Sequence, residues 1–211
     1  MRLYIEQSLN IKFMVFIRNI KRSLRAIMTN FTIHTLDTAP TNSLPALEAS
    51  FKNNGRIPGL HGVMAEVPSL LAVYNFAHQQ FMATSLDAEE KTVVWQSVNV
   101  EQNCHYCVPA HTGIAKIMGV DDAITEALRN QTALPTIKLE ALRTFTLKVV
   151  RERGFVDDAD TQRFLDAGYT ETSILEVILG VSQKIMSNYT NHFAKTPVDE
   201  VFQKFAWQKP S

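Results

Sequence analysis

EQNCHYCVPAHTGIAK, running from Glu101 to Lys116, holds both cysteines of the chain, Cys104 and Cys107, and places His111 four residues after the second. Two thiols separated by two residues can close a small disulfide loop or share a metal ion. A histidine one helical turn beyond Cys107 shares its helix face and can exchange a proton with it. Asn103 is a good N-cap residue, so a helix beginning there puts both thiols in its first turn, where free amides and the dipole favour a thiolate. Pro109 either kinks such a helix or occupies the first turn of one that starts nearer Val108. Both options put the thiols at a helix start. Glu101 comes near the same face only if the helix continues backward without a break.

An ordinary cysteine is mostly protonated at neutral pH, and the thiolate is the reactive form. A histidine placed to take the proton corrects this. A second cysteine then traps the oxidised first one as a disulfide before it over-oxidises. Two bland readings compete. C-x-x-C is also half of a zinc site, which needs four ligands and could recruit only His111 or a remote histidine. Two cysteines can also simply pack as small apolar residues. His105 lies between the thiols and points away from Cys107. His34, His61, His78 and His192 read as structural or solvated.

Outward from this stretch the text is helical. Ser43 with Pro45 marks a helix start, and Asn54-Gly55 its end. Pro68 opens a helix to about Met82, after a loop through Pro58 and Gly59. Ser85 or Asp87 caps the helix that leads to the cysteines, with acidic residues in its first turn. Gly119 closes the site helix, and Asp121 or Asp122 caps a short one ending near Asn130. Pro135 to Arg153 forms a long helix ended by Gly154. Thr170 or Thr172 caps another from Ile174 to about His192, and Pro197 to Trp207 makes a last short one. Period-two alternation and hairpin turn pairs are missing, so the spacing predicts an all-α fold.

The chain has 211 residues, 45% of them apolar and 20% charged, which suits one ordinary globular domain, residues 28–211, with a substantial core. Lysine plus arginine equals aspartate plus glutamate at 21 each, a balance that argues against a nucleic-acid partner. Two closely spaced cysteines do not make a secreted disulfide scaffold and point to a reducing, cytoplasmic setting. The apolar run Phe13–Ile17 is too short to span a bilayer. Residues 1–27 stand apart, with Arg2, Lys12, Arg18, Lys21, Arg22 and Arg25 against Glu6. They read as a targeting or membrane-surface helix, as a surface-docked helix, or as a dispensable extension upstream of a second start at Met28. The change of composition at Met28 favours the last.

CHYCVPAH inside an all-α chain, preceded by LDAEEKTVVW and followed late by ILGVSQKIMSNYTNH, resembles the alkyl hydroperoxidase D (AhpD) and carboxymuconolactone decarboxylase superfamily, in particular its peroxidase-related branch. The resemblance runs from about Leu44 to Trp207. It implies an AhpD-like helical fold and a peroxiredoxin-like thiol peroxidase without a bound cofactor. Such an enzyme reduces a hydroperoxide and is regenerated by a lipoyl- or thioredoxin-type dithiol. It further implies attack by Cys107, resolution by Cys104, proton transfer at His111, and a homo-oligomer. Active members carry a glutamate about twelve residues before the first cysteine. Here that position is Thr92, so Glu101, or less favourably Glu90, is the candidate substitute. A decarboxylase-type lyase acting on a lactone acid is the alternative within the superfamily, though that branch does not rely on a C-x-x-C pair. A zinc-stabilised interaction module is the alternative outside it.

Overall fold

A computed structural model describes residues 31–210 of the chain. After a 3-10 turn at Thr41–Ser43 come α1 (Leu44–Asn54), α2 (Gly59–Met64), α3 (Pro68–Met82), α4 (Ala88–Glu101) and α5 (Cys107–Ile117). They are followed by α6 (Asp122–Asn130), α7 (Ile137–Arg151), α8 (Asp158–Asp166), α9 (Glu171–Ala194) and a 3-10 segment, Glu200–Phe205. No strand occurs among the described residues. The basic segment 1–27 and the boundary expected at Met28 lie outside them.

Asp87 opens the helix around which the others pack. Its carboxylate accepts the Glu90 amide at 2.8 Å, while the Glu90 carboxylate accepts the Asp87 amide at 3.0 Å, a reciprocal capping box. From Glu90 to Val100 every residue of α4 is buried, because α5, α6, α7 and α9 all pack on it. Lys91 survives burial by giving its ammonium to the carbonyls of Thr84 and Leu86. The larger core joins Val93, Val94, Trp95 and Val98 of α4 to Leu142 and Phe145 of α7, Phe164 of α8 and Val177 of α9. A smaller core gathers Leu47, Leu60, Leu71 and Tyr74 around Cys104, Tyr106 and Cys107.

Two glycines mark close approaches. A Cβ at Gly180 of α9 would come within 2.6 Å of the Phe81 ring and 2.8 Å of Val94. A Cβ at Gly113 of α5 would come within 2.5 Å of the Phe202 ring in the C-terminal 3-10 segment. That segment is tied down at both ends. Asp199 accepts Arg56 at 2.7 Å and the Gly59 amide at 3.0 Å, and the Trp207 indole donates to the Arg129 carbonyl at 3.0 Å.

The helices expected at Leu44–Asn54, Pro68–Met82 and Asp122–Asn130 are present. α2 stands where a loop was expected: its two glycines depress helix propensity, and its burial against α3 and α9 compensates. α8 was also unexpected, since among its nine residues only Phe164 and Leu165 are large and apolar. Phe164 stacks between Phe145 at 4.2 Å and Tyr169 at 4.4 Å. The C-terminal element is a shorter 3-10 segment rather than a helix from Pro197 to Trp207.

Candidate active site

Asn103 does not cap a following helix. Its φ is +52°, and it sits one residue past the C-cap of α4. The Asn103 amide donates to the Val100 carbonyl and the Cys104 amide to the Asn99 carbonyl, each at 3.0 Å. This is a Schellman ending with asparagine in the left-handed position. Cys104 therefore lies in the connection, α5 begins at Cys107, and Pro109 is accommodated in the first turn of α5, where no intrahelical donor is lost. The Cys107 amide, one of the free donors of that turn, points at Cys104 Sγ, 3.3 Å away. Both thiols are free and nearly inaccessible, at 1% for Cys104 and 2% for Cys107.

Burial alone would suppress ionisation of Cys107. The hydrogen bond from the Cys104 thiol, the charge of Lys184, and the side chains of Asn191 and Ser187 outweigh it and draw the thiol below the ordinary range. Asn191 Nδ2 donates to Cys107 Sγ at 3.3 Å, and Ser187 Oγ lies 3.9 Å from it. Cys104 moves the opposite way, pushed up by its hydrogen bond to Cys107 and by burial. The pair is thus polarised into a thiolate at Cys107 and a protonated donor at Cys104.

His111 is buried on α5, with its ring 4.9 Å from that of Trp95. Its Nε2 lies 2.7 Å from Lys184 Nζ, and its Nδ1 has no partner among the described residues. Burial, Lys184 and His78 hold the imidazole well below its usual pKa, so it is neutral at pH 7. Lys184, 1% exposed on α9, is itself lowered by burial while both cysteines pull it back up. No direct bond joins His111 to Cys107; Lys184 bonds the imidazole and acts on the thiol through its charge.

The expected carboxylates are elsewhere. Glu101 sits at the end of α4 in a two-pronged pair with Arg151, at 2.8 Å on each prong, and that guanidinium lowers its pKa. The break at Asn103 turns the chain before Glu101 could approach His111. Glu90 is spent on the capping box and on Lys138 at 2.8 Å. Thr92 is buried, and its hydroxyl donates to the Ala88 carbonyl at 2.9 Å. His105 is exposed, with Nδ1 3.2 Å from the Trp207 carbonyl. Among the described residues, no three His, Cys, Asp or Glu side chains converge where a metal ion could sit.

Lys184, Ser187, Asn188 and Asn191 went unremarked as site residues in the sequence. They line one face of α9 and meet the buried amides of α4: Asn188 Nδ2 donates to Asn99 Oδ1 at 2.9 Å, and Asn99 Nδ2 to Gln96 Oε1 at 3.0 Å. Gln96 in turn donates to the Val108 carbonyl at 3.1 Å, which fixes the first turn of α5. A cleft of about 610 Å³ opens onto Cys107, His111, Lys184, Tyr74 and Tyr106.

No family model matches the chain, and no curated protein matches it. Solved structures do. The crystal structure described as an alkylhydroperoxidase AhpD core, an uncharacterized peroxidase-related protein from Ralstonia eutropha JMP134, superposes with a TM-score of 0.74 at 18% identity, covering 83% of this chain and 94% of that one. An uncharacterized peroxidase-related protein from Silicibacter sp. TM1040 gives 0.70 at 17% identity, over 83% and 96% of the two chains. The apo debrominase Bmp8 gives 0.69 at 17% identity, over 83% and 95%. The fold is therefore AhpD-like.

Proposed function

We propose that the protein is a thiol-dependent peroxidase that reduces hydroperoxides through Cys107 and Cys104. The observation that carries this reading is the polarised pair, a buried thiol drawn toward thiolate by Cys104, Lys184 and Asn191 at the foot of a cleft. The Cys107 thiolate attacks the outer oxygen of the hydroperoxide. An S–O bond forms, the O–O bond breaks, and the alkoxide leaves with a proton from the Lys184–His111 pair. Cys107 is then a sulfenic acid. Cys104 attacks its sulfur, the S–S bond forms, and hydroxide leaves as water with the Cys104 proton. A lipoyl- or thioredoxin-type dithiol reduces that disulfide by exchange and restores both thiols. Proton transfer stays with His111, acting through Lys184 rather than through a carboxylate at Glu101.

This chemistry belongs in a reducing compartment, for which we take the cytoplasm. No described helix is long and apolar enough to cross a membrane. A homo-oligomer is part of the same reading: Phe76 of α3 and Leu175 and Phe193 of α9 are 63%, 67% and 71% exposed, apolar area that a second copy would cover.

The test is hydroperoxide consumption with several dithiol donors, beside Cys107→Ser and Cys104→Ser. Loss of all turnover in the first, and arrest after one turnover with a dimedone-reactive Cys107 in the second, is the expected result. Steady turnover by Cys107→Ser would overturn the reading.

A further inference from the structure

A water molecule takes about 30 Å³ of liquid, and hydrogen peroxide is little larger. The cleft above Cys107 holds about 610 Å³, the range of organic ligands. Its walls are apolar along Leu60, Ile114 and Phe205, and Ile117 stands 83% exposed. Its charges are unequal. Arg56, Lys116, Lys184 and Lys204 line it against one carboxylate, Asp199. Both Asp199 oxygens are occupied, Oδ1 by the Gly59 amide and Oδ2 by Arg56 and the Tyr106 hydroxyl, the latter at 2.7 Å. Lys116 is held by Asp122 outside the cleft. Lys204 lies over the Phe205 ring at 5.0 Å and makes no ion pair among the described residues.

We propose that the cleft takes an amphipathic organic carboxylate, with its apolar body along Ile114 and Phe205 and its anionic end at Lys204 and Lys116. The substrate class is then a carboxylated organic hydroperoxide, such as an oxidised fatty acid, rather than hydrogen peroxide. The apolar walls desolvate the chain, and the two cations attract the far carboxylate: Lys204 makes no ion pair among the described residues, and Lys116 leaves its exposed pair with Asp122 at little cost. Only the reaction at Cys107 rests on the peroxidase reading; binding does not require it.

The experiment uses the full chain, with decanoate below its micelle concentration as the probe and 1-octanol as the neutral comparison. Decanoate should bind and should slow iodoacetamide alkylation of Cys107. Octanol should bind at least about fivefold more weakly, and Lys116→Ala/Lys204→Ala should weaken decanoate by about fivefold, the scale of exposed charge pairs. Turnover of neutral cumene hydroperoxide should fall less in that double variant than turnover of a carboxylated hydroperoxide. Decanoate that fails to protect Cys107, or that binds the double variant equally well, overturns the proposal. Protection by decanoate without turnover of any hydroperoxide would fail the peroxidase reading and leave the anion site standing. Turnover of cumene hydroperoxide without decanoate binding would do the reverse.

Discussion

Nζ of Lys184 on α9 lies 2.7 Å from Nε2 of His111 on α5, and the two cannot both be cations in a buried setting. With the ammonium donating, the imidazole is neutral and carries its hydrogen on Nδ1, a tautomer assigned from this bond. The pair therefore supplies one positive charge facing one thiolate. That arrangement replaces the relay of cysteine, histidine and carboxylate that the sequence led us to expect.

Removing the Lys184 charge should show this directly. Lys184→Met keeps the length of the side chain and much of its volume. The thiolate loses its principal cation, so the Cys107 pKa rises. Alkylation at pH 5, below the lowered value of Cys107, should slow by about tenfold or more, since there each pKa unit changes the thiolate fraction by that factor. The pH profile of iodoacetamide reactivity decides it. An unshifted profile would leave Cys104 and Asn191 as sufficient activators.

Glu101 should prove remote from the chemistry. Glu101→Gln breaks its pairing with a half-exposed Arg151. The expected cost is about 0.5 kcal/mol of stability, as for an exposed pair. Peroxide turnover should stay within about twofold of the wild type, against the about 10²-fold loss expected for His111→Ala, the scale of a positioned proton-transfer group. Urea unfolding and steady-state rates check the two halves separately.

The legible part of the site was its spacing. Cys107 and His111 could be placed on one helix face because the i, i+4 relation needs no tertiary information, whereas Cys104 lies in the connection before α5. Asn103 was misread because asparagine suits both an N-cap and a left-handed C-terminal position; the backbone bonds of α4 settle which. Lys184, Ser187, Asn188 and Asn191 recur at helical spacing, and in sequence such a stripe looks like a solvated face. It is buried because Gln96 and Asn99 of α4 present matching amides. That pairing lies 89 residues apart for Asn99 and Asn188 and leaves no local trace. The capping box at Asp87 and the Gly119 ending, with φ of +75°, are local, and both could be read in advance.

Gly113 and Gly180 should respond differently to alanine. At Gly180 the new methyl meets Phe81 and Val94 inside the main core, where overpacking costs about 1–3 kcal/mol. At Gly113 it meets Phe202, on a segment at the surface that can yield. Gly113→Ala should cost less stability and should speed alkylation of Cys107 by a bulky maleimide as Phe202 is displaced from the cleft. Equal stability losses with unchanged maleimide rates would show that the segment does not screen the thiol.

Three histidines set the acid limit of the fold. Burial chiefly lowers His61 and His78 to about 4, from 6.5, and drives His111 well below 6.5. His78 is also opposed by Lys184, and His111 by Lys184 and His78. His192 shifts the same way but sits at the surface, where solvent screens it. Below pH 6.5 the unfolded chain takes up protons that the folded chain refuses, so the unfolded state binds more and stability rises with pH. Stability should therefore fall as pH drops from 6.5 toward 4. Glu90 and Glu101 have lowered pKa values and act in the same direction, but only as pH falls below 4.5. Cys107 acts mostly above the window and overlaps its upper end, its contribution being complete above pH 9 and lost as pH falls through about 6. His78→Phe removes one titrating group while preserving the stack on Trp95, now 5.4 Å between centroids at 13°. The Tm of the wild type should decline steadily from pH 6.5 to 5, and that of the variant by roughly a third less, one proton in three being absent. Equal slopes would mean that His78 is protonated in the folded protein, and with it that neither its burial nor the Lys184 charge suppresses the imidazolium.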